Sequence, residues 1–442
     1  MFNFIKKRKK NKVAVLGIDG VPCSLLRDFI RKGIMPNLSS IVTGGSLREM
    51  DASIPEVSST SWTTFMTGVN PGKHNIYGFM GLKPNSYSLY FPNSGDIKSD
   101  TIWDILGKHN KQSIVINVPS TYPAKPLKGI LTAGFVSVDL QKATYPHSAF
   151  EYLQGIGYRM DVDSQKAGVS LEALAEDIDM TFRKRTEALL HFYDHHVWDL
   201  FIGTITETDR LHHFLWSALE DDAHSLHGFF IDFYKKIDSL IGQIVDRCGS
   251  DITFLIVSDH GFTDIKQEVY LNAWLMEKGY LKFRKESPES LEDIHPESIA
   301  FALDPSRIYI NLKQRYPSGC VEGTAYDAMR LKVKEELLDF HIDGVKVMKQ
   351  VYTKEEIYHG PNLYSAPDLV ALSNTGYDLK GSIIKKTVFG RSIFTGAHTQ
   401  DNATFFINKP IPEGRINIMD VAPTVLKIMD IPHADFDGKS VL

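Results

Sequence analysis

Five short apolar runs recur along the chain: VAVLGI (13–18), SIVINV (113–118), LFIGTIT (200–206), ITFLIV (252–257) and DLVAL (368–372). Each is rich in β-forming residues and bounded by polar, Gly or Pro positions. Continuous apolar runs of this length predict strands buried on both faces, as in a parallel sheet. Helical patterns separate them. Over 224–248 the residues Leu226, Phe229, Phe230, Phe233, Ile237, Leu240, Ile241 and Ile244 recur at helical spacing and make one apolar stripe. A second helix is predicted over 171–193, with Leu171, Leu174, Ile178, Phe182 and Leu189 as its core face. This alternation predicts an α/β fold, a doubly wound, mostly parallel sheet between helices.

Residues 80–110 and 265–395 break the alternation. They are longer and loop-rich, and both read as insertions that cap the main sheet. PSRIYINL (305–312) and VKVMKQVY (345–352) read as strands of that smaller sub-domain. The expected organisation is a basic tail (1–12), a core (13–264 and 396–442) and a cap (265–395). No internal repeat interrupts it, and no Pro/Ser/Gly linker of the kind that separates independent domains.

Composition narrows the function. With 442 residues, 43% hydrophobic and 23% charged, the chain is neither disordered nor fibrous. Three cysteines, Cys23, Cys248 and Cys320, leave no disulfide framework and no C-x-x-C metal site. A net charge of -5 argues against a nucleic-acid polymer as partner. No apolar run approaches the ~18 residues of a membrane span. The tail MFNFIKKRKKNK carries six cationic residues with no apolar signal region behind them, so a cytoplasmic protein is expected. The tail reads as solvated and disordered; peripheral contact with an anionic membrane surface is its alternative role.

The chemistry sits where strands end. VAVLGI runs into Asp19, LFIGTIT runs into Asp209, and ITFLIVS runs into Asp259 and His260. Open parallel sheets bind ligands at the carboxyl ends of their strands. Three carboxylates delivered there repel one another, and a divalent metal is the usual remedy. Asp209 and His213 are spaced i, i+4, so one helix turn would place them together. His212 competes for that role at i+3, and a helix cap plus a surface histidine is the bland alternative. His398 lies in the polar loop TGAHTQDN. Three Asp and three His suit two metals, each with three protein ligands and an open position. Two dications against three carboxylates leave about one positive charge, which attracts a phosphoryl group. Ser58, Ser59, Thr60 and Ser61 precede an apparent helix. Any of them could cap it, or serve there as a nucleophile favoured by the helix dipole.

The series GIDG (17–20), the hydroxyl-rich segment ending in TGVNPGKH (67–74), TETDRLHH (206–213), SDHGF (258–262), GAHTQDN (396–402) and DVAPTVLKIMDIP (420–432) resembles the alkaline phosphatase superfamily. Within it, the chain is similar to the type I phosphodiesterase/nucleotide pyrophosphatase family. The resemblance implies an alkaline-phosphatase-like fold and two metal sites. Asp209, His213 and His398 would form one; Asp19, Asp259, His260 and the nucleophile would form the other. The family places its nucleophile ten residues before the glycine of a TG pair, which here points from Gly68 to Ser58, with Ser59 as runner-up. The family's D-x-x-x-H spacing favours His213 over His212.

Departures from the family pattern also matter. The nucleotide pyrophosphatase branch has an asparagine about 21 residues after its nucleophile that contacts a phosphate oxygen; that register here holds Phe79. Lys73, His74 and Asn117 are candidate replacements. The segment SSTSW lacks the Pro and Arg of a sulfatase motif, and Cys23 reads as a small buried hydrophobe. Tyr77, Phe79, Tyr87, Tyr90 and Phe91 either stack on a base or sugar or pack the cap.

The expected function is a two-metal hydrolase of phosphate diesters or pyrophosphates, acting on a phosphorylated small molecule through a metal-activated serine and a phosphoserine. A phosphomonoesterase or phosphoryl-group transferase on the same core is the second reading, and a non-catalytic metal-binding scaffold the third. Zn²⁺ is the expected ion, with Mn²⁺ and Fe²⁺ as alternatives.

Overall fold

The computed structural model describes residues 11–432 and 435–442. The cationic run Lys6–Lys10, and with it the expected disorder and membrane contact of the tail, lies outside the described residues. Lys12 opens the first strand.

Nine strands form the main sheet: β1 (Lys12–Ile18), β2 (Ser46–Asp51), β3 (Ser113–Val118), β4 (Gly129–Ala133), β5 (Thr144–Tyr145), β6 (Leu200–Ile205), β7 (Ile252–Val257), β8 (Ala403–Ile407) and β9 (Ile416–Asn417). Their order is β9-β2-β8-β7-β1-β6-β3-β4-β5. The central strands β7-β1-β6-β3-β4 are parallel throughout, and β8 runs antiparallel between β7 and β2.

Six helices matter for the site: α1 (Ser58–Thr67), α2 (Ile102–Lys108), α3 (Leu171–His195), α4 (Glu207–Glu220), α5 (His227–Cys248) and α6 (Val421–Ile428). Side chains of β1 alternate between two cores, as a pleated strand requires. Ala14, Leu16 and Ile18 pack with α3, α4 and α5; Val13 and Val15 pack with α1, α2 and α6. The predicted stripe of α5 is buried along its length, from Phe230 through Ile244. Helix α3 begins where the Ser170 side chain accepts the Ala173 N–H, a conventional N-cap.

Two expectations need correction. DLVAL does not join the main sheet. Its strand, Leu369–Ser373, lies antiparallel between Arg307–Ile310 and Met348–Thr353 in a separate four-stranded sheet that also holds Ala300–Leu303. Leu369, Val370 and Ala371 are all fully buried, and a continuous apolar run reports burial on both faces, not strand direction. Nor is 80–110 one insertion. The hairpin Gly81–Leu82 with Leu89–Tyr90 reaches the smaller sheet, where Tyr87 stacks on Tyr316 with ring centroids 5.5 Å apart. Helix α2, however, has a Thr101–Asp104 capping box and buries Ile102, Trp103, Ile105 and Leu106 against the main sheet. Of the other aromatic residues, Tyr77 packs edge-to-face on Tyr358 and Phe91 is exposed. No helix among the described residues is long and apolar enough to cross a membrane.

Candidate active site

Adjacent parallel strands end side by side, so β6, β1 and β7 deliver their following residues to one place. Asp19 follows β1, Asp209 and His213 occupy the start of α4 just after β6, and Asp259 and His260 follow β7. The ends are tied together. Asp19 N–H donates to the Ile205 carbonyl at 2.9 Å, and Thr208 Oγ1 donates to the Asp19 carbonyl at 2.6 Å. His398 arrives from far along the chain. Residues Gly396–Thr399 pair antiparallel with Gly261–Asp264, setting His398 opposite Phe262.

Ser58 is the first residue of α1, and no side chain caps that helix end. The helix is hydroxyl-rich yet wholly buried. Thr63, Thr64 and Thr67 satisfy their hydroxyls by donating to carbonyls four residues back, which makes such a sequence tolerable inside a core. Ser61 Oγ pairs with Ser53 Oγ at 2.7 Å. Ser59 Oγ and Thr60 Oγ1 are buried without partners. Ser58 Oγ alone of the four reaches the cluster, 3.3 Å from Asp19 Oδ1 and 3.2 Å from His260 Nε2.

Asp209 Oδ1 lies 3.2 Å from His398 Nε2 and 3.4 Å from His213 Nε2. Asp259 Oδ2 lies 3.3 Å from His260 Nε2. Ligand atoms of Asp209, His213 and His398 fall within 4.8 Å of one another, and so do those of Asp19, Asp209 and His260. Asp209 thus stands between the two groups.

The donor set fits metal ions. Each imidazole gives its Nδ1–H to a main-chain carbonyl: His213 to Gly396, His260 to Gly261 and His398 to Glu56. In a neutral ring that leaves a lone pair on Nε2, the arrangement that orients metal-binding histidines. His213 Nε2 and His398 Nε2 then face each other at 3.0 Å, which repels unless a proton or a cation lies between them. Asp259 Oδ2 is buried with no hydrogen-bond donor. Asp19 is oriented by Trp62, whose Nε1–H donates to Oδ2 at 2.9 Å, and Asp259 by the Gly20 N–H at 3.1 Å.

Titration behaviour reflects the same crowding. Burial, then the charges of Asp259 and Asp209, push Asp19 well above the carboxylate range. Burial and Asp209 push Asp259 up to about 7. Burial also acts on Asp209, but His213 and His398 outweigh it and hold that carboxyl well below its ordinary value. Burial lowers His213 to about 3 and takes His260 well below its usual value. His398 is likewise buried, yet Asp209 raises it. The protein alone offers too little positive charge for its carboxylates.

The structure does not bring Lys73 or His74 to this cluster. Lys73 pairs with Asp437, and its carbonyl accepts from Asn362. His74 is fully buried between Thr64 Oγ1 and the Ile76 N–H, with burial lowering it to about 3. Lys73 belongs to the seam where 357–365 meets the core, while His74 is held by residues near it in sequence. Asn117 is also fully buried; its amide donates to the Thr204 carbonyl and Thr206 Oγ1, stapling β3 to β6. Phe79 does line the pocket, together with Pro119, Phe135, Thr206 and Arg210. Arg210 went unread in the sequence, although a cation directly after the strand-end Asp209 was the available signal. His212 turns away: it bonds the Gly20 carbonyl and the Tyr234 hydroxyl, and burial lowers it to about 4.

Comparison with known proteins places the fold and the family. Phosphonoacetate hydrolase from Sinorhizobium meliloti 1021, in complex with phosphonoformate, superposes with a TM-score of 0.65 at 17% identity, covering 95% of each chain. Human ectonucleotide pyrophosphatase/phosphodiesterase 5 superposes at 0.57 and 15% identity over 97% of each chain. An inactive murine form of that protein in complex with AMP gives 0.59 at 14% identity, again over 97% of each. These likenesses establish the fold as that of alkaline-phosphatase-like hydrolases. No curated protein matched the sequence. The family described as "Type I phosphodiesterase / nucleotide pyrophosphatase" matches residues 13–401, a span that holds every strand-end carboxylate, the serine helix and the ribbon bearing His398. The chain belongs to that family.

Proposed function

We propose that the protein hydrolyses phosphate diesters or pyrophosphates of small molecules, with Ser58 as nucleophile and two divalent cations held by the three aspartates and three histidines. The observation that carries this reading is the convergence of three imidazole Nε2 atoms and three carboxylates beside a serine hydroxyl at an uncapped helix start. Asp209, His213 and His398 would hold one cation. Asp19, Asp259, His260 and Ser58 Oγ would hold the other, with Asp209 near both. Zinc suits this mixed Asp/His shell, and manganese is the second candidate. When bound, the cations favour the ionised serine and water and offset charge on the phosphoryl oxygens.

The chain's own residues set the geometry. Trp62 fixes one oxygen of Asp19 and turns the other toward Ser58. The three carbonyls fix the histidine tautomers. The first turn of α1 favours negative charge at Ser58 Oγ and on an incoming phosphate. Ser58 loses its proton to solvent, Oγ bonds to phosphorus, and the bond from phosphorus to the leaving oxygen breaks with its electron pair, leaving an alkoxide or phosphate that solvent protonates. Water then cleaves the phosphoserine and restores the hydroxyl. A shared fold with a phosphonoacetate hydrolase and with an AMP-bound pyrophosphatase supports a small phosphorylated substrate.

The test is hydrolysis of chromogenic phosphate diesters and monoesters by protein loaded with Zn²⁺ or Mn²⁺. Diester cleavage that chelation removes and metal restores is expected. A protein that retains no metal, or that cleaves monoesters alone, refutes the reading.

A further inference from the structure

We infer that Arg210 binds the phosphoryl oxygens of the substrate beside Ser58. This rests on the phosphoester reading above.

Arg210 lines the same small pocket as Asp19, Ser58 and Phe79, and it is the one Lys or Arg among the lining residues. Its guanidinium is pre-oriented on three sides. Nη1 donates to Asp209 Oδ2 at 3.0 Å, and Nη2 donates to Asp161 Oδ2 at 2.7 Å. The Phe135 ring lies 4.7 Å from its central carbon. Those two bonds use two of the five guanidinium N–H groups. The others have no partner among the described residues, so planar donors stay free at the pocket.

The support behind Arg210 is elaborate for a mere surface ion pair. Asp161 sits on a segment fastened at both sides. Arg159 Nη2 donates to both oxygens of buried Asp177 at 2.7 Å, and the Asp163 N–H adds a bond to the same carboxylate at 2.9 Å. The Met160 carbonyl accepts from Arg185 at 2.9 Å, while Arg185 pairs with Glu207 in a fully buried ion pair next to α4's start. Such a frame holds a planar fork in one orientation, which is how arginine recognises phosphate.

Phe79 packs edge-to-face on Phe135 with centroids 5.0 Å apart, and Phe135 carries Arg210. Phe79 thus buttresses the aromatic support of the cation. Hydrogen bonds from a charged donor to a phosphate oxygen are stronger than those from a neutral group.

The experiment measures inorganic phosphate binding by calorimetry to full-length, metal-loaded protein, alongside metal content and kcat/KM for a diester. Parent, Arg210→Ala and Arg210→Lys are compared. Arg210→Ala is expected to weaken phosphate binding about 10- to 100-fold, the range for losing hydrogen bonds from a charged group, with metal content at the parent level. Arg210→Lys keeps the charge near Asp209 and Asp161 but loses the fork, so it should fall between. Added guanidinium ion should recover part of the phosphate affinity of Arg210→Ala. Parent-like phosphate affinity in Arg210→Ala, or affinity lost only together with metal, overturns the assignment while leaving the phosphoester reading intact. A parent protein that neither binds phosphate nor cleaves a diester overturns both.

Discussion

Replacing Asp259 by asparagine should stabilise the metal-free protein and destroy its capacity to gain stability from metal. Asp259 is fully buried, one oxygen bonded to the Gly20 N–H and the other without a donor. Burial, then the Asp209 charge, raise its pKa from 3.8 to about 7. A carboxyl with a raised folded pKa prefers the neutral form in the fold. Its contribution to stability is therefore intact below pH 4 and is lost as pH rises toward 7. About three pH units at roughly 1.4 kcal/mol each put the loss near 4 kcal/mol by neutral pH. Asparagine keeps the acceptor for Gly20 and puts an N–H where Oδ2 now faces His260 Nε2 at 3.3 Å. Thermal unfolding midpoints of parent and Asp259→Asn, measured in chelator from pH 5 to 8, read this group together with Asp19, whose carboxyl the Asp259 charge raises, while distant titrations cancel in the difference. The variant should melt higher at pH 8, with its advantage shrinking steadily toward pH 5. Saturating zinc should reverse the order. A pH-independent difference, or a variant less stable than the parent in chelator at pH 8, would refute the reasoning.

Two further predictions separate neighbouring residues. Ser58→Ala should lower turnover by on the order of 10³-fold or more with bound metal retained, whereas Ser59→Ala, whose hydroxyl has no partner, should stay within several-fold; steady-state kinetics with metal analysis reads both, and the reverse ranking would move the nucleophile. His213→Ala should lose metal, while His212→Ala should keep it and unfold about 1–3 kcal/mol more easily, because His212 joins the Gly20 carbonyl to the Tyr234 hydroxyl; equal metal loss in both would show that the two histidines are not divided between binding and structure.

Three of the carboxylates were legible because a parallel sheet makes them so. Asp19, Asp209 and Asp259 each follow a buried strand, and β6, β1 and β7 are neighbours, so their shared destination needs no tertiary knowledge. Ser58 and His398 were not legible from periodicity; the order of family motifs pointed to them. Asn117 misled because polarity near a strand end reads as ligand chemistry, while here a left-handed backbone turns its amide into a staple beneath the site. Lys73 and His74 misled because they lie close in sequence to the serine helix: Lys73 is engaged by Asp437 and Asn362 from the chain's last third, and His74 is buried between Thr64 Oγ1 and the Ile76 N–H. Arg210 was hidden by its company. Between Asp209 and the histidines it reads as a surface ion pair, and only the fold brings in Asp161 and Phe135.

The way His398 arrives couples the cap to the chemistry. The segment 265–395 leaves the core directly after Gly261–Asp264 and returns at Gly396–Thr399, and these two ends pair with each other. His260 precedes one end and His398 lies within the other, so both ends of the excursion are anchored by proposed metal ligands. The excursion is also clamped at a second point. Tyr358 donates to the Ile54 carbonyl at 2.7 Å, two residues before Glu56, whose own carbonyl orients His398. A shift of the cap relative to the core would therefore move the acceptor that fixes the His398 tautomer. With His213 Nε2 and His398 Nε2 3.0 Å apart, a cation held by both would tie the ribbon to the start of α4. The proposed metal site and the position of 265–395 thus share contacts through His398 and Glu56.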